Sequence, residues 1–385
     1  MTKTLTEILP PSLSLDVTAA EKKILQNNGI FDFRIGNEED DKPENSAKWG
    51  TDRIVRAEFL EWLCTDEEAQ KVLPLKGIEI TGAKIAGILD LEWAELKRKF
   101  RLYKSAIPDR INLSHAKTKT IAIIGCTTGP IRAYNLIAEG DIFLNYGKAI
   151  GEVNLIGAAI GGQLNCEGAS FENKNEKGYA LIMNDISVKR SIFLNNNFRA
   201  KGEVRLHGAT VEGNIDCSGA YFKNQKGYAL IMDGVVVKRD IFLRNTFTEK
   251  VAVRFMAQGE VRLIGATIGG QLNCEGASFE NEKGYALSMD GASVKGHVFL
   301  NNKFTAKGEV GLSGATIEGQ LNCENAAFEN KNEKRFALNM ENISVKGDVF
   351  LSNNFTAKGA VRLPGATIGG QLNCEGASFE NEQGH

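Results

Sequence analysis

Five of the seven cysteines recur at one position of an internal sequence repeat, so metal binding and disulfide formation are the first chemistries to consider. They are Cys166, Cys217, Cys274, Cys323 and Cys374. If each repeat forms two stacked coils about 4.8 Å apart, neighbouring thiols in this column lie on the order of 10 Å apart. A disulfide needs Cα atoms within roughly 7 Å, and a zinc site needs closer convergence still. We therefore interpret these cysteines as small buried apolar residues of a reducing compartment, and expect neither metal nor cofactor.

Motifs typical of enzymes are missing from the sequence. The four histidines share no repeat position; they are His115, His207, His297 and His385. HExxH, GxSxG, GxxxxGK and a GxGxxG motif between a strand and a helix do not occur. The carboxylates are scattered rather than clustered, so an enzyme that acts on a polymer along one face is the least favoured function.

An internal repeat determines the elements that would position any site. Close variants of GEVRLxGATIGGQLNCEGASFEN begin at Gly151, Gly202, Gly259, Gly308 and Gly359. Within a repeat, apolar or small residues come in pairs two apart, such as Val261/Leu263 and Leu272/Cys274. Such a pair lies on one face of an extended segment, and the next pair follows too soon for a long strand. The pattern predicts short strands joined by corners, with four strands per coil and two coils per repeat.

The fold class predicted from this pattern is an all-β solenoid, a right-handed parallel quadrilateral β-helix with a small α-helical N-terminal cap. We expect the cap in residues 1–75, irregular coils in 76–150 and regular coils in 151–385. Thr18 and Glu21 have the spacing of a helix capping box within that cap. The helices are expected to cover the first coil, whose open strand edges would otherwise recruit other strands.

The five-residue recurrence of A-x-[I/L/V/F] resembles pentapeptide-repeat proteins. Examples are Gly82–Ile85, Trp93–Leu96 and Gly365–Ile368. The resemblance implies a right-handed quadrilateral β-helix from about residue 77 onward. Several N-terminal phrases resemble more closely a bacterial group labelled membrane-associated oxidoreductases: TAAEKKIL, DFR, RIVRAEFLEWLCTD and KGIEITGAKIAGILDLEWAEL. In that group C-terminal transmembrane helices often follow the repeats, whereas this sequence contains neither such helices nor a redox motif.

Composition and charge indicate which classes of binding partner the protein is not expected to have. The chain has 46 basic and 48 acidic residues, a net charge of −2. This balance argues against a nucleic-acid partner, which favours a basic surface, and against a DNA mimic, which needs a strongly acidic one. The sequence shows no signal peptide and no run of about 18 apolar residues. We therefore expect a cytoplasmic location and no membrane span within this sequence.

Recurring phenylalanines predict two stacked aromatic columns in the core. One set is Phe171, Phe222, Phe279, Phe328 and Phe379, and the other is Phe198, Phe247, Phe304 and Phe355.

Departures from the repeat supply the candidate partner-binding residues. The segment Glu249–Gln258 (EKVAVRFMAQ) replaces a short TAKG-type corner and brings Val253, Arg254, Phe255 and Met256. An exposed apolar insertion predicts a partner contact, although a repacked loop is equally compatible with the sequence. The outward basic positions are further candidates, either for an acidic partner or as a solvated edge: Arg205, Arg262, Arg362, Lys238 and Arg239.

The function that these observations favour is a non-enzymatic binding or scaffold module with a protein partner. By resemblance, we expect the cytoplasmic recognition part of a membrane-linked bacterial protein, linked to the membrane through a further C-terminal segment. The alternative is a freestanding structural protein that assembles end to end through the coil ending in ENEQGH, which carries no capping helix.

Overall fold

The computed structural model describes residues 3–173, 175, 178–247, 252–331 and 336–381. The chain forms two compact units, Met1–Lys174 and Asn175–His385. Each unit is built mainly from short parallel strands, as a parallel β-helix. This confirms the predicted fold class of an all-β solenoid.

The N-terminal region of the first unit holds the helices. They are α1 (Pro11–Ser14), α2 (Ala19–Gln26), α3 (Ala57–Thr65) and α4 (Glu67–Val72), with 3₁₀ turns at Pro43–Lys48 and Thr51–Arg53. The capping box predicted for α2 is present: Thr18 Oγ1 accepts a hydrogen bond from the Glu21 amide at 3.1 Å, and the Glu21 carboxylate accepts one from the Thr18 amide at 3.0 Å. The helix therefore begins where its sequence satisfies the free amides of the first turn.

The N-terminal region also contributes two strands, a feature that the expected helical cap did not include. Ile30–Asp32 pairs in parallel with Ile78–Thr81, and Ile54–Arg56 pairs with Lys84–Ala86. The backbone edge of the first coil is thus closed by strand pairing as well as by helices, which leaves fewer unpaired amides and carbonyls.

Each coil of the first unit has four sides, taken in the same order along the chain. Side 1 is formed by Ile78–Thr81, Phe100–Tyr103, Ile121–Ile124, Ile142–Phe143 and Leu164–Asn165. Side 2 is formed by Lys84–Ala86, Ala106–Ile107, Thr127–Thr128, Lys148–Ile150 and Ser170–Glu172. Side 3 is formed by Leu89–Asp90, Ile111–Asn112, Ile131–Arg132 and Val153–Asn154, and side 4 by Glu95–Leu96, Lys117–Thr118, Ile137–Ala138 and Ala159–Ile160.

The second unit repeats this order. Side 1 is formed by Ile192–Phe193, Ile215–Asp216, Ile241–Phe242, Leu272–Asn273, Val298–Phe299, Leu321–Asn322, Val349–Phe350 and Leu372–Asn373. Side 4 is formed by Ser187–Val188, Thr210–Val211, Val236–Val237, Thr267–Ile268, Ser293–Val294, Thr316–Ile317, Ser344–Val345 and Thr367–Ile368. On side 2 lie Arg199–Lys201, Ala327–Glu329, Thr356–Lys358 and Ser378–Glu380, and on side 3 Tyr179–Ile182, Glu203–Arg205, Leu338–Asn339 and Val361–Arg362. Four strands run through sides 2 and 3 together: Tyr221–Ile231, Met256–Arg262, Ser278–Ser288 and Thr305–Gly311.

Register between coils stacks equivalent residues above one another. Ile215 pairs with Ile241, and Ile241 pairs with Leu272. One complete coil therefore lies between the coil that contains Cys217 and the coil that contains Cys274. Two coils per repeat are thereby confirmed. All seven cysteines are free thiols, and six of them are buried.

The aromatic core of the second unit is one column, which corrects the prediction of two. Its members, in stacking order, are Phe198, Phe222, Phe255, Phe279, Phe304, Phe328, Phe355 and Phe379, with successive ring centroids 5.1–5.7 Å apart. The two predicted sets alternate because each belongs to every second coil. Phe255 occupies the position predicted for Phe247, whose side chain lies outside the described part of the chain.

Candidate functional site

The candidate insertion begins earlier in the chain than the sequence comparison suggested. Phe255 and the strand Met256–Arg262 take the places that Phe304 and Thr305–Gly311 hold in the next repeat. The additional residues lie before Phe255 and include a short antiparallel pair, Thr246–Phe247 with Ala252–Val253. Residues 248–251 lie outside the described ranges.

Burial in this segment corrects the expectation of an exposed apolar contact. Phe255 is 0% exposed, Val253 and Met256 are half-buried, and Arg254 is exposed. The Phe255 amide donates to Asn245 Oδ1 at 2.9 Å, which holds the returning chain against the stack. The structure therefore agrees with the repacked-loop alternative, and Phe255 is not available as a surface anchor.

Three predicted basic residues are held by local partners on side 3 of the second unit. Arg205 lies over the Tyr179 ring at 5.2 Å and pairs with Glu203 at 2.6 Å. Arg262 lies over Tyr228 at 5.0 Å and pairs with Asp233 at 2.7 Å. Arg362 lies over Phe336 at 4.8 Å and pairs with Glu341 at 2.8 Å. Each guanidinium thus has a carboxylate and a ring, so these residues do not form a free basic stripe.

The other two predicted basic residues lie elsewhere on the coil. Lys238 follows side 4, is exposed, and pairs with Glu212 at 3.1 Å, while Arg239 is exposed beside it. Lys189 shares the same Glu212 carboxylate at 3.0 Å. The five basic candidates are therefore divided between two sides of the solenoid.

The first unit contains a groove that the sequence did not indicate. It has a volume of about 590 Å³ and is lined by Ile30, Phe31, Asp32, Arg34, Glu79, Thr81, Tyr103, Lys104, Ile124, Gly125 and Tyr146. Its floor lies on the outer face of side 1, where Thr81 pairs with Tyr103 and Tyr103 pairs with Ile124. We call this feature the side 1 groove. Its lining is mostly apolar and aromatic, as in many ligand-binding clefts.

Ion pairs border the side 1 groove. Arg34 and Asp32 form a two-bonded pair, with Nε–Oδ1 at 3.0 Å and Nη2–Oδ2 at 2.6 Å. Arg101 pairs with Glu79 at 2.7 Å. Lys104 is exposed, and the described residues offer it no ion pair. Within the described part of the chain, Lys104 is therefore a positive charge without an ion pair, at the rim beside an apolar floor.

The corner that forms one wall of this groove is one of several corners at which residues other than glycine adopt a positive φ. Lys104 has φ +41° and Tyr146 has φ +57°, whereas the coil between them has Gly125 at the corresponding corner with φ +61°. Side chains rarely adopt this left-handed region, and strained backbone recurs at binding sites. Burial and a hydrogen bond with Glu167 raise the pKa of Tyr146. A tyrosine and a lysine at glycine-type corners are the one sequence signal that could have indicated the groove.

The described residues contain no group of three or more His, Cys, Asp or Glu side chains placed to hold a metal ion. Nor do they contain a helix long and apolar enough to cross a bilayer. Comparisons with protein-family models, with curated proteins and with solved structures found no match. The chain's own geometry is therefore the basis for a functional proposal.

Proposed function

We propose that the chain is a non-enzymatic binding module and that its side 1 groove receives an extended segment of a partner protein. The observation that carries this proposal is the floor formed by Thr81, Tyr103 and Ile124 on the outer face of a parallel sheet. Aromatic side chains in such clefts supply much of the binding energy at protein interfaces. A preformed sheet adds little ordering cost of its own, so the partner bears most of it.

The positive charge of Lys104 at the rim of the groove favours a partner segment that carries an acidic residue. Lys104 extends from the corner next to the apolar floor, and its stem lies near Gly125. A peptide with an apolar or aromatic side chain followed closely by Asp or Glu would fill the floor and meet the Lys104 ammonium. Electrostatic complementarity of this kind favours correct orientation more than raw affinity.

Selection of a phage-displayed peptide library on the full chain tests this proposal. We expect enriched peptides to combine an apolar residue with an acidic one and to lose at least tenfold in affinity for Tyr103→Ser. Phe143→Ser is the matched control, because Phe143 is a half-buried aromatic residue on the same side that does not line the groove. Enriched peptides that bind Tyr103→Ser and the parent equally would overturn the proposal.

We further propose that the chain belongs to a membrane-linked bacterial protein of the pentapeptide-repeat type. The support for this is the resemblance of its N-terminal sequence segments to that group. An immunoblot of fractionated source cells tests it. A band well above 41.9 kDa in the membrane fraction is expected. A soluble band at 41.9 kDa would contradict the membrane link.

End-to-end association is the second candidate, because core positions are uncovered in the last described coil. Leu372 and Phe379 are 47% and 48% exposed, and Cys374 is exposed, although each continues a buried column. A second copy stacked on these residues would bury them and pair the open strand edges. Sedimentation velocity across a hundredfold concentration range should then show mass increasing in the parent and not in Phe379→Lys. A concentration-independent monomer would exclude this association.

A further inference from the structure

One column of corner positions in the second unit holds two arginines among glycines. It consists of the second residue after each side 4 strand: Arg190, Gly213, Arg239, Gly270, Gly296, Gly319, Gly347 and Gly370. Strand pairing before the column, on side 4, and after it, on side 1, keeps one register between these coils. Arg190, Gly213 and Arg239 therefore lie on three successive coils.

Close backbone contacts explain why glycine prevails in this column. A Cβ added to Gly296 would lie 2.7 Å from the Gly270 carbonyl oxygen. One added to Gly347 would lie 2.7 Å from the Gly319 carbonyl oxygen. Non-bonded heavy atoms pack at about 3.5–4.0 Å, so a side chain at these corners forces the neighbouring backbone to move. Arginine at two such positions departs from what the stack itself favours, as is expected at functional sites.

The lysines and the arginines at this corner differ in their partners. Lys189 Nζ and Lys238 Nζ lie 3.0 and 3.1 Å from the two carboxylate oxygens of Glu212, on the coil between them. Hydrogen bonds from both lysines lower the pKa of Glu212 below its ordinary value, so it is ionised at neutral pH. Arg190 and Arg239 are exposed, and in the part of the chain that the structure describes neither makes an ion pair. The arginines are thus the cations available to a partner.

Nearby carboxylates do not cancel the positive charge of these three coils. Asp240, which follows Arg239, accepts a hydrogen bond from the Gln271 amide at 2.9 Å. With Glu212 it is set against four cations: Lys189, Arg190, Lys238 and Arg239. The corner therefore carries an excess of positive charge, although the whole chain does not.

An equivalent corner elsewhere in the unit separates the arginines from the lysines. Four coils further on, Lys295 and Lys346 hold Glu318 in the same way, at 2.5 and 3.4 Å. The column positions beside them are Gly296 and Gly347. Paired lysines thus belong to the repeat, whereas the arginines are specific to one place and call for a separate explanation.

The spacing of the arginines matches that of an extended polypeptide. Two coils separate Arg190 from Arg239, which is about 9.6 Å along the stacking direction. A polyproline II segment rises about 3.1 Å per residue and returns to the same face every third residue, after about 9.3 Å. A partner segment along the stack would therefore place two side chains, three positions apart, over the two arginines. Glu212 lies on the coil between, so the intervening residues should carry no negative charge.

We infer that Arg190 and Arg239 form a docking site for an extended acidic segment of a partner protein, with Asp or Glu residues three positions apart. Each guanidinium can donate two parallel hydrogen bonds to one carboxylate, which a lysine cannot do. Glu212 disfavours a nucleic acid, whose continuous phosphate backbone would bring negative charge past it. The site lies in the second unit and does not depend on the side 1 groove, so either proposal can fail without the other.

Fluorescence anisotropy of labelled peptides, titrated with the full chain, tests the inference. The first probe is a proline-rich peptide with two glutamates three positions apart, and the second has the same composition with adjacent glutamates. We expect the first probe to bind several times more tightly and its affinity to rise as the salt concentration falls. Equal binding of the two probes would overturn the inference.

Replacement of both arginines by glycine, the usual residue of the column, should preserve the fold. Arg190→Gly combined with Arg239→Gly should weaken binding of the first probe by about tenfold. The matched control is Lys295→Gln combined with Lys346→Gln, which removes two positive charges from the equivalent corner and should leave the affinity unchanged. An unchanged affinity in the arginine variant, or equal losses in both double variants, would contradict the site.

The equivalent corner also allows a gain of binding to be tested. Gly296→Arg combined with Gly347→Arg should create a second docking site, so the folded variant should bind two peptides per chain. One bound peptide per folded chain would contradict the inference. If the crowded backbone prevents this variant from folding, the loss of binding expected in the arginine variant decides alone.

Two comparisons exclude other locations and partners. Tyr103→Ser should leave the affinity of the first probe unchanged, because Tyr103 lines the side 1 groove. Weaker binding in Tyr103→Ser with none in the arginine variant would overturn the inference. An oligothymidylate of equal charge is the nucleic-acid probe. If it binds more tightly than the peptide and is lost in the arginine variant, the arginines bind nucleic acid and the inference is wrong.

Discussion

The Phe255 ring packs against the Phe222 ring, with centroids 5.6 Å apart and planes inclined by 44°. On its other side the Phe279 ring lies 5.4 Å away. An interrupted repeat thereby keeps an uninterrupted aromatic column. The insertion is accommodated before the column position, and the core continues through it.

Phe255→Ala should lower the free energy of unfolding by about 3–5 kcal/mol, because it leaves a ring-sized cavity within the column. Arg254→Ala is the control: its side chain is exposed, so we expect a change of about 0.5 kcal/mol or less. Urea unfolding monitored by circular dichroism measures both. Equal stabilities of the two variants would show that Phe255 is not a core residue.

The sequence could have located this insertion more accurately. Phe255–Gly259 reads FMAQG and matches FTAKG at Phe304–Gly308, so the core phenylalanine was recognisable from the residues that follow it. The stacking itself was predictable because inward positions repeat every second residue. Inward alternation also led to the correct number of strands per coil and coils per repeat.

Outward features could not be predicted in the same way. The side 1 groove depends on which outward residues of successive coils meet, such as Tyr103 and Ile124, and these positions follow no period. The strand Ile30–Asp32 was missed because its partner, Ile78–Thr81, is distant in sequence. Arg262 contacts Tyr228 because the two residues lie on successive coils, and the length of a coil decides which residues meet. The ion-pair and ring partners of the basic residues could therefore not be predicted from the sequence.

Two corner glycines should differ sharply in their tolerance of a methyl group. Gly259 has φ +121°, and an added Cβ would clash with the carbonyl oxygens of Asn224 and Gly227, the latter at 2.8 Å. Gly265 has φ +62° with nothing within 4 Å of an added Cβ. We expect Gly259→Ala to cost about 3 kcal/mol or more and Gly265→Ala about 1 kcal/mol.

Thermal unfolding of the two glycine variants measures this difference. Gly265→Asn should cost less than Gly265→Ala, because asparagine tolerates the left-handed region and Asn342 adopts it at the equivalent corner with φ +53°. Equal destabilisation by Gly259→Ala and Gly265→Ala would refute the steric argument.

The buried pair Arg53–Asp41 should make stability depend on pH. Arg53 Nη1 lies 2.9 Å from Asp41 Oδ1, and the amides of Ile35 and Gly36 donate to the same carboxylate. Burial raises the pKa of Asp41, but these hydrogen bonds and Arg53 together lower it below the ordinary value. A lowered folded-state pKa means that the contribution is complete above the unfolded pKa, about 3.9, and is lost as the pH falls through the folded value.

Asp41→Asn should therefore lower the free energy of unfolding by about 3 kcal/mol at pH 7, because it leaves the Arg53 cation buried without its carboxylate. The difference between parent and variant should shrink as the pH falls below about 4. Denaturant unfolding between pH 7 and pH 3 measures it, with Asp40→Asn at the exposed neighbouring position as the control. A difference that stays constant over this range would rule out the linkage.

Thiol reactivity provides a direct test of the cysteine column and of the last described coil. Thiolates are the reactive species, and burial raises the pKa of Cys126 to about 12 and that of Cys217 well above its usual range. Cys374 is the exposed thiol. A disulfide exchange reagent should thus label one thiol per folded chain and all seven after denaturation, and none in folded Cys374→Ser. Rapid labelling of several thiols in the folded chain would contradict the burial of the cysteine column.

End-to-end stacking would also cover Cys374. Its labelling should then slow as the protein concentration rises, whereas an unstacked chain reacts at a constant rate.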